Sequence, residues 1–376
     1  MSIVWSPGVR DSAITGLGVL LRRPEWRDSD AGEDITAAVT AALDDTNPLV
    51  RMHAARMVTA LHPGVSAAEL AAKIGQRAFT ETNRVVCAGL IDQLSSTVRD
   101  DATAVDTVLE QLLETDTSIL AAAVNDDLGT SLMALLTYLA CVPQTPFAAR
   151  TIHRWCEQAP QYPATATAFA RHSRNYLAAH GTTEQQRAFQ LLGLAAQACL
   201  KRWTSNRAEH LTGADLPPEQ LAELRGAAQV AHEISQQIYF ASGAFDHTQG
   251  REPAPLAALA SFGELAFPVL STCTKLHDPQ TIHHAVETMV FLAGLDESRA
   301  LQAIAAAIPP RNTYAHDGLA GTLVIDYLQR LLTEQRSLVL DDSHGIAAFR
   351  HLLQTFAAAG NQQALALAYT FADVFR

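Results

Sequence analysis

The chain has 376 residues, of which 48% are hydrophobic, and a formal net charge of −12 at pH 7. This charge argues against non-specific binding to DNA or to acidic membranes. Its longest apolar stretches are too short and too polar to span a bilayer, and no charged-then-apolar signal sequence opens the chain. We therefore expect a cytoplasmic protein that does not cross a membrane.

The cysteines are far apart in the sequence, odd in number and never arranged as a Cys-x-x-Cys pair. This spacing argues against a disulfide framework and against a zinc knuckle. We interpret the cysteines as small apolar residues of the core. They are Cys87, Cys141, Cys156, Cys199 and Cys273.

Apolar residues recur at helical spacing along the chain, and alternating β-branched runs are almost absent, so we predict an all-α fold. Prolines, glycines and acid-rich breaks mark the ends of the helices. Ser66 and Glu69 have the spacing of a capping box, which begins one of them. In the first half, the predicted helices span residues 8–22, 33–43, 47–61, 66–79, 82–97, 102–114, 117–124, 128–141, 146–158 and 164–179.

After His180-Gly181 the predicted helices and their connections become longer. This change indicates a second helical subdomain or a set of irregular repeats. We therefore predict one domain at residues 1–180 and another at 181–376, with a soft boundary between them. The predicted helices here span residues 182–203, 217–241, 254–275, 316–335, 342–358 and 361–375, with a repeat-like rhythm at 278–308 and polar loops at 204–216 and 242–253.

One short pattern occurs twice in the chain. The sequence Pro-x-Val-Arg-x-x-Ala spans Pro7–Ala13 and again Pro48–Ala54, 41 residues later. That distance lies within the period of stacked helix pairs. A proline is well tolerated in the first turn of a helix, so each copy predicts a helix start.

The second copy also predicts which side of its helix is buried. A helical period places Val50, Ala54 and Leu61 on one face, which we predict to lie in the core. The same period places Met52 and Arg56 away from that face, towards solvent.

The stretch Asp44–Ala54, Asp-Asp-Thr-Asn-Pro-Leu-Val-Arg-Met-His-Ala, resembles the second helix of a HEAT repeat. The resemblance implies that the Asp and the Arg tie adjacent repeats together and that the small Ala permits close helix packing. It also implies a right-handed α-solenoid of antiparallel helix pairs, with longer, less regular helices in the second half. The match is good at residues 44–61, partial at 7–21 and looser at 83–94 and 278–290.

The two ends of the chain leave an alternative open. A HEAT unit has two helices, and Pro7–Leu21 resembles only the second, while the chain closes on the apolar helix Ala364–Arg376. The ends of a solenoid need protection from solvent. Either the chain is part of a larger polypeptide, or a single helix is enough to cap each end.

Motifs for catalysis and cofactor binding are missing from the sequence, including the phosphate loop, the Gly-x-Ser-x-Gly elbow and His-Glu-x-x-His. HEAT-like enzymes of the deoxyhypusine hydroxylase type need several His-Glu pairs, whereas this chain has one, His232-Glu233. His283 and Glu287 share a helix face, but two ligands do not complete a metal site. We interpret them as a solvated pair and expect no enzymatic activity, no cofactor and no bound metal.

Three of the four tryptophans stand beside arginine. Such pairs grip phosphate and stack on bases, and they are enriched in protein–protein hot spots. For any single pair we favour ordinary packing, whereas three pairs on one surface would favour a binding role. With an arginine on the predicted solvent face of helix 47–61, the candidate partner-binding residues are Arg22, Arg23, Trp26, Arg27, Arg56, Arg154, Trp155, Arg202, Trp203 and Arg207.

Three classes of function fit these observations. We predict a non-catalytic helical-repeat interaction or scaffold module that binds a protein or peptide on its curved surface. The alternative is the sensor or regulatory portion of a larger multidomain protein, linked to an effector or an ATPase. A third class, a nucleic-acid reader or a HEAT-like DNA glycosylase, is disfavoured by the acidic composition.

Overall fold

The structure, a computed structural model, describes residues 8–115, 127–211, 216–252, 254–310 and 313–370. These residues contain helices and turns and no β-strand. The prediction of an all-α chain is therefore confirmed.

Helices occur close to the positions that the sequence predicts along most of the chain; the helix predicted at residues 117–124 lies outside the described residues. Two short 3₁₀-helices span Ala293–Leu295 and Thr313–His316. The α-helices are α1 (Val9–Leu21), α2 (Pro24–Arg27), α3 (Asp30–Ala42), α4 (Pro48–Ala55), α5 (Val58–Leu61), α6 (Ala67–Thr80), α7 (Arg84–Thr97), α8 (Ala102–Thr115), α9 (Asp127–Cys141), α10 (Pro146–Glu157), α11 (Pro163–Leu177), α12 (Thr183–Leu211), α13 (Pro218–Ser242), α14 (Ala244–Thr248), α15 (Leu256–Thr274), α16 (Pro279–Leu292), α17 (Glu297–Ala307), α18 (Gly318–Glu334), α19 (Arg336–Leu340), α20 (Ser343–Ala358) and α21 (Gln362–Thr370).

The chain divides into two compact units between Ile152 and His153. The change to longer helices comes later, at α12 with 29 residues and α13 with 25. The soft boundary near residue 180 stays a prediction.

Two helices of the first unit begin in the same way. The side chain of Asn47 accepts a hydrogen bond from the backbone N–H two residues on at 3.0 Å, and Asn83 does the same. An acid two residues earlier holds each asparagine, because Asp45 accepts the N–H of Asn47 and Glu81 that of Asn83, both at 2.8 Å. The sequence acid-x-Asn therefore sets the start of both α4 and α7.

Arginines near the helix starts bind acids one repeat further along the chain. Arg10 of α1 pairs with Asp45. The guanidinium of Arg51 in α4 donates two hydrogen bonds to the carboxylate of Glu81, from Nε to Oε2 at 3.1 Å and from Nη2 to Oε1 at 3.0 Å. The tie between adjacent repeats that the HEAT resemblance implies is thus present twice.

Contacts near the helix ends keep the same offset along the sequence. Arg22, which follows α1, contacts Met57, and the Thr59 hydroxyl of α5 donates to Gln93 of α7 at 2.9 Å. The start of each of these helices lies near the start of the next one, and their ends lie together in the same way. Helices α1, α4 and α7 therefore run in the same direction. Helix α6 runs the opposite way, because Glu81, which follows its last turn, lies at the start of α4. The first unit is a stack of antiparallel helix pairs.

The face predicted to be buried lies in the core, since Val50, Ala54 and Leu61 are 3%, 0% and 8% exposed. The prediction for Met52 is wrong, because this side chain is also buried. Helix α4 is covered on two sides, by α1 and by α7, and Gly89 of α7 lies close to the Met52 carbonyl. A helix inside a stack contacts neighbours on two sides, so its apolar face is wider than that of a helix with a single partner.

The helix predicted at residues 47–61 is interrupted. Helix α4 ends at Ala55 and α5 begins at Val58. Between them Met57 has φ −109° and ψ 2°, and its side chain packs on α1, where a Cβ atom on Gly18 would lie 2.4 Å from it. The apolar spacing continues through the break, so the sequence pattern does not reveal it.

Polar ties also join helices of the second unit. Arg171 of α11 pairs with Glu233 of α13 at 2.7 Å, and Arg174 donates to Gln237 at 2.6 Å. These partners are 62 and 63 residues apart, almost twice the offset in the first unit. The long helix α12 lies between α11 and α13 in the chain and accounts for the difference.

Two predicted loops of this unit are partly helical, so those predictions are wrong in part. Helix α12 continues to Leu211, through half of the predicted loop at 204–216, and α14 lies inside the predicted loop at 242–253. The hydroxyls of Thr204 and Ser205 donate to carbonyls one turn back inside α12. A polar run without Gly or Pro therefore continues the helix here.

Among the described residues no single helix is both long and apolar enough to cross a membrane. One pair, Leu128–Cys141 with Pro146–Glu157, passes that test only jointly and is bent by 105°.

Candidate functional site

The first unit displays a tryptophan on a one-turn helix. Arg23 has an extended backbone and Pro24 starts α2, which ends after Arg27. Helix α3 packs directly on this turn, because a Cβ atom on Gly32 would lie only 2.0 Å from the carbonyl oxygen of Arg27. The turn is too short to fold back on the core, and Trp26 is 44% exposed.

Arginines flank this tryptophan in the sequence. Arg22 and Arg23 precede α2 and are exposed, and Arg27 pairs with the neighbouring Asp28 at 2.8 Å. Arg22 reaches Met57, the residue after Arg56, which is exposed as the sequence predicts. Among the described residues, neither Arg23 nor Arg56 has an ion-pair partner. We name Arg22, Arg23, Trp26 and Arg27 the Arg–Trp surface, whereas the stem of Arg56 lies on the side of α7, near Gly89.

The other two tryptophan–arginine pairs belong to the second unit and differ from the first. Arg154 is exposed, but Trp155 is only 9% exposed and lies in the core, as the packing interpretation expects. Arg202 pairs with Glu223 of α13, and Trp203 is half-buried. The side chain of Arg207 lies outside the described residues. Only the first pair presents an exposed indole.

A groove between α6 and α8 was not anticipated from the sequence. It has a volume of about 990 Å³, and Phe79 on its wall is 56% exposed. The signal in the sequence is a second series of small or apolar residues on α6, in addition to the series that forms its core face. The lining residues are Ala68, Ala72, Gly75, Gln76, Phe79, Thr80, Ala104, Thr107, Val108, Gln111, Leu112 and Glu114.

The predicted solvated pair, His283 and Glu287, belongs to a larger cluster between α13 and α16. Both side chains are mostly buried, at 32% and 22% exposed, and both His283 and His284 lie 3.6 Å from one Glu287 oxygen. The ring of His284 stacks on Tyr239, with 5.2 Å between centroids, and lies 5.5 Å from the ring of His232. The pair is therefore part of a helix contact.

Burial and charge shift two groups of this cluster. Burial, and then the neighbouring His284, lower the pKa of His232. Burial, and then the Glu287 carboxylate, raise the pKa of Tyr239. Both groups therefore favour the neutral form at neutral pH.

The described part of the chain has no cluster of metal ligands and no exposed thiol. No three or more His, Cys, Asp or Glu side chains in that part are arranged to hold a metal ion. All five cysteines are buried, as predicted. Burial raises the pKa of Cys87 to about 11 and that of Cys273 to about 12, so these thiols stay protonated and unreactive at neutral pH.

No protein-family model matches the chain, and no curated protein sequence shows a significant match. Among solved structures, the chain is similar to the crystal structure of Kap121p bound to Nup53p, with a TM-score of 0.36 and 13% identity over 92% of this chain and 44% of that chain. It is also similar to the crystal structure of an engineered protein, with a TM-score of 0.31 and 16% identity over 97% of this chain and 92% of that one. The chain thus spans less than half the length of the Kap121p chain.

Proposed function

We propose that this chain is a non-catalytic, HEAT-like interaction module, and that it binds a protein or peptide at the Arg–Trp surface. The exposed indole of Trp26, with arginines on both sides, carries this proposal. Exposed tryptophan and arginine dominate the binding energy of protein interfaces far beyond their frequency. The repeated ties of Arg10 to Asp45 and of Arg51 to Glu81 support the HEAT-like repeat.

Charge indicates the chemistry of the partner. Residues 1–152 contain eleven basic and nineteen acidic side chains, so the unit is acidic as a whole. Three of the eleven basic residues are the arginines of the Arg–Trp surface, where residues 22–28 hold only two acids, Glu25 and Asp28. A local excess of basic side chains on an acidic unit attracts carboxylates and orients them. We therefore expect the partner segment to carry Asp or Glu beside an apolar residue that packs on the indole.

The same surface fits the sensor or regulatory portion of a larger protein, which would use it to recognise a signal. It also has the residue types that bind single-stranded nucleic acid. Catalysis has less support, because the thiols are buried and the sequence lacks catalytic motifs.

A peptide-display selection against the full chain tests the proposal, with a library of unstructured 12-residue peptides. We expect enriched peptides to be acidic and to bind less tightly as salt increases. Trp26→Ala should lower the affinity for these peptides by about tenfold or more, which is the effect of a hot-spot residue. Tyr162→Ala removes a similarly exposed ring, 43% exposed, in the other unit and should leave binding unchanged.

Two results would contradict the proposal. One is a set of peptides that bind Trp26→Ala as tightly as the parent chain. The other is salt-dependent binding of a fluorescent single-stranded oligonucleotide that Trp26→Ala abolishes while no peptide is enriched. That second result would establish nucleic acid as the ligand of the same surface.

A further inference from the structure

Helix α6 has two apolar strips, and among the described residues only one of them is covered. Leu70, Ile74 and Ala78 are buried in the core of the first unit. A second strip on α6, Ala68, Ala72, Gly75 and Phe79, has the 4-3-4 spacing of a helix face and lines the groove. A helix at a protein surface normally shows polar residues on the side that faces solvent. The second strip therefore has the composition of a contact surface and not that of a solvent-facing side of a helix.

The floor of the groove is formed by a close approach of α6 and α8. A Cβ atom on Gly75 would lie 2.7 Å from Cγ1 of Val108, so the two helices are in contact at this point. Leu112 continues the buried floor, and small side chains such as Ala72 and Ala104 form the walls. Small walls allow the backbone of a bound segment to come close to both helices.

The length of the groove fits a helix. From Ala68 to Phe79 the strip rises about 17 Å, which is three helical turns at 1.5 Å per residue. A helix laid in a groove uses apolar residues at positions i, i+3, i+4 and i+7 along one side. Such a helix would cover the strip on α6 and would lie along Thr107 and Gln111, exposed polar residues that line the groove on α8.

One end of the groove is negative. Glu114 is the one ionisable side chain among the described lining residues, and it is exposed. Helix α6 ends at Thr80, which also lines the groove, and the C-terminal end of a helix carries a partial negative charge. The excess of acidic residues in the first unit adds to the same sign. The groove therefore favours a partner with a basic residue at that end.

We propose that the groove between α6 and α8 binds one α-helix of a partner protein. The helix presents a face of small apolar residues to Ala68, Ala72 and Phe79, and places a Lys or Arg against Glu114. This site shares no residue with the Arg–Trp surface, so it is a second interaction surface, with a partner of opposite charge. Its test does not depend on the first.

A display library of 18-residue helix-forming peptides, selected against the full chain, provides the probe. The most enriched peptide is then synthesised and its affinity is measured by fluorescence anisotropy. Ala72→Trp fills the groove at an exposed position and should weaken binding at least tenfold. Ala41→Trp makes the same change at an exposed position of α3, outside the groove, and should leave the affinity unchanged.

The charge of the groove is tested with the same peptide. Glu114→Gln should weaken binding several-fold and reduce its dependence on salt. Glu114→Lys should weaken it further, and a peptide with its basic residue changed to Glu should recover affinity for this variant. Circular dichroism of each variant confirms that the helices are retained.

Three outcomes would overturn the proposal. No peptide is enriched over a parallel selection against Ala72→Trp, or Ala72→Trp and Ala41→Trp have equal effects, or Glu114→Gln leaves affinity and salt dependence unchanged. Trp26→Ala is included to separate the two surfaces. If it abolishes binding while Ala72→Trp does not, the peptide occupies the Arg–Trp surface, and the groove is not its site.

Discussion

At the scale of single residues, the pair of Arg51 and Glu81 shows how the repeats are held together. Glu81 is 3% exposed and Arg51 is 16% exposed, so water screens their attraction weakly. Burial raises the pKa of Glu81, but the hydrogen bonds from Arg51 and Asn83 outweigh it, so the net pKa is lowered. The carboxylate is thus kept charged because it has partners on both sides.

We predict that Glu81→Gln destabilises the chain by about 1–3 kcal/mol. The amide keeps the shape of the side chain but leaves the half-buried guanidinium of Arg51 without a negative partner. Urea unfolding at pH 7 measures the change. Glu69→Gln on α6 breaks an exposed pair with Lys73 and should cost less than about 0.5 kcal/mol. Equal effects of the two changes would show that the buried tie does not stabilise the stack.

Two helical glycines give opposite predictions for the same substitution. Gly16 is exposed within α1 and has no atom within 4 Å of a new Cβ, so Gly16→Ala should stabilise the chain by about 0.5–1 kcal/mol. Gly32→Ala should destabilise it by about 2 kcal/mol or more, because its Cβ meets backbone atoms of α2. Tryptophan fluorescence during unfolding also reports whether Trp26 moves in Gly32→Ala. A Gly32→Ala chain as stable as Gly16→Ala would contradict the packing of α3 on α2.

At the scale of helices, most starts were predictable because they depend on local chemistry. Ser66 caps its helix as predicted, since it accepts the N–H of Glu69. The acid-x-Asn sequences before α4 and α7 are equally local, because each acid and asparagine lie within two residues of each other. The interruption before Val58 and the extension of α12 to Leu211 were not predictable. The first depends on Met57 packing against another helix, and the second on a polar run with no local signal to stop it.

The candidate sites were predictable only in part, because they too depend on contacts between residues that are distant in the sequence. The residues of the Arg–Trp surface are close together in the sequence and could be grouped from it, whereas the position of Arg56 near Gly89 of α7 could not. The burial of Trp155 and the stacking of Tyr239 on His284 depend on contacts across the fold, which a sequence pattern does not specify.

Asp106 gives a prediction for the contact of one helix with the next. This buried residue of α8 accepts hydrogen bonds from the Thr145 hydroxyl at 2.7 Å and from the N–H groups of Phe147 and Ala148 at 2.9 Å. It therefore caps the start of α10 from another helix. Asp106→Asn loses one acceptor oxygen and the charge, so we expect a loss of about 1–3 kcal/mol.

Hydrogen exchange locates the effect of that substitution. The amides of Phe147 and Ala148 should exchange faster in Asp106→Asn, whereas amides in the middle of α6 should change much less, since a local loss is felt mainly by neighbouring repeats. Uniformly faster exchange over the whole first unit would show that the cap stabilises the unit as a whole.

At the scale of the whole molecule, buried histidines couple stability to pH. Burial is the largest influence on each of them, and it lowers the pKa of His53, His62, His172, His180 and His232. An unfolded chain exposes these rings, and their pKa returns to about 6.5. Below that value the unfolded state binds protons that the folded state resists.

The sign of the effect follows from this difference in proton binding. The contribution of these histidines to the free energy of unfolding is fully present above about pH 6.5. It decreases as the pH falls towards the lower pKa values of the folded state. We therefore predict a lower urea midpoint at pH 5.5 than at pH 7.5, with no change of slope. His172→Gln removes one of the buried rings and should reduce this difference, whereas His153→Gln, at an exposed position, should not. A urea midpoint that is constant, or higher at pH 5.5, would contradict this prediction.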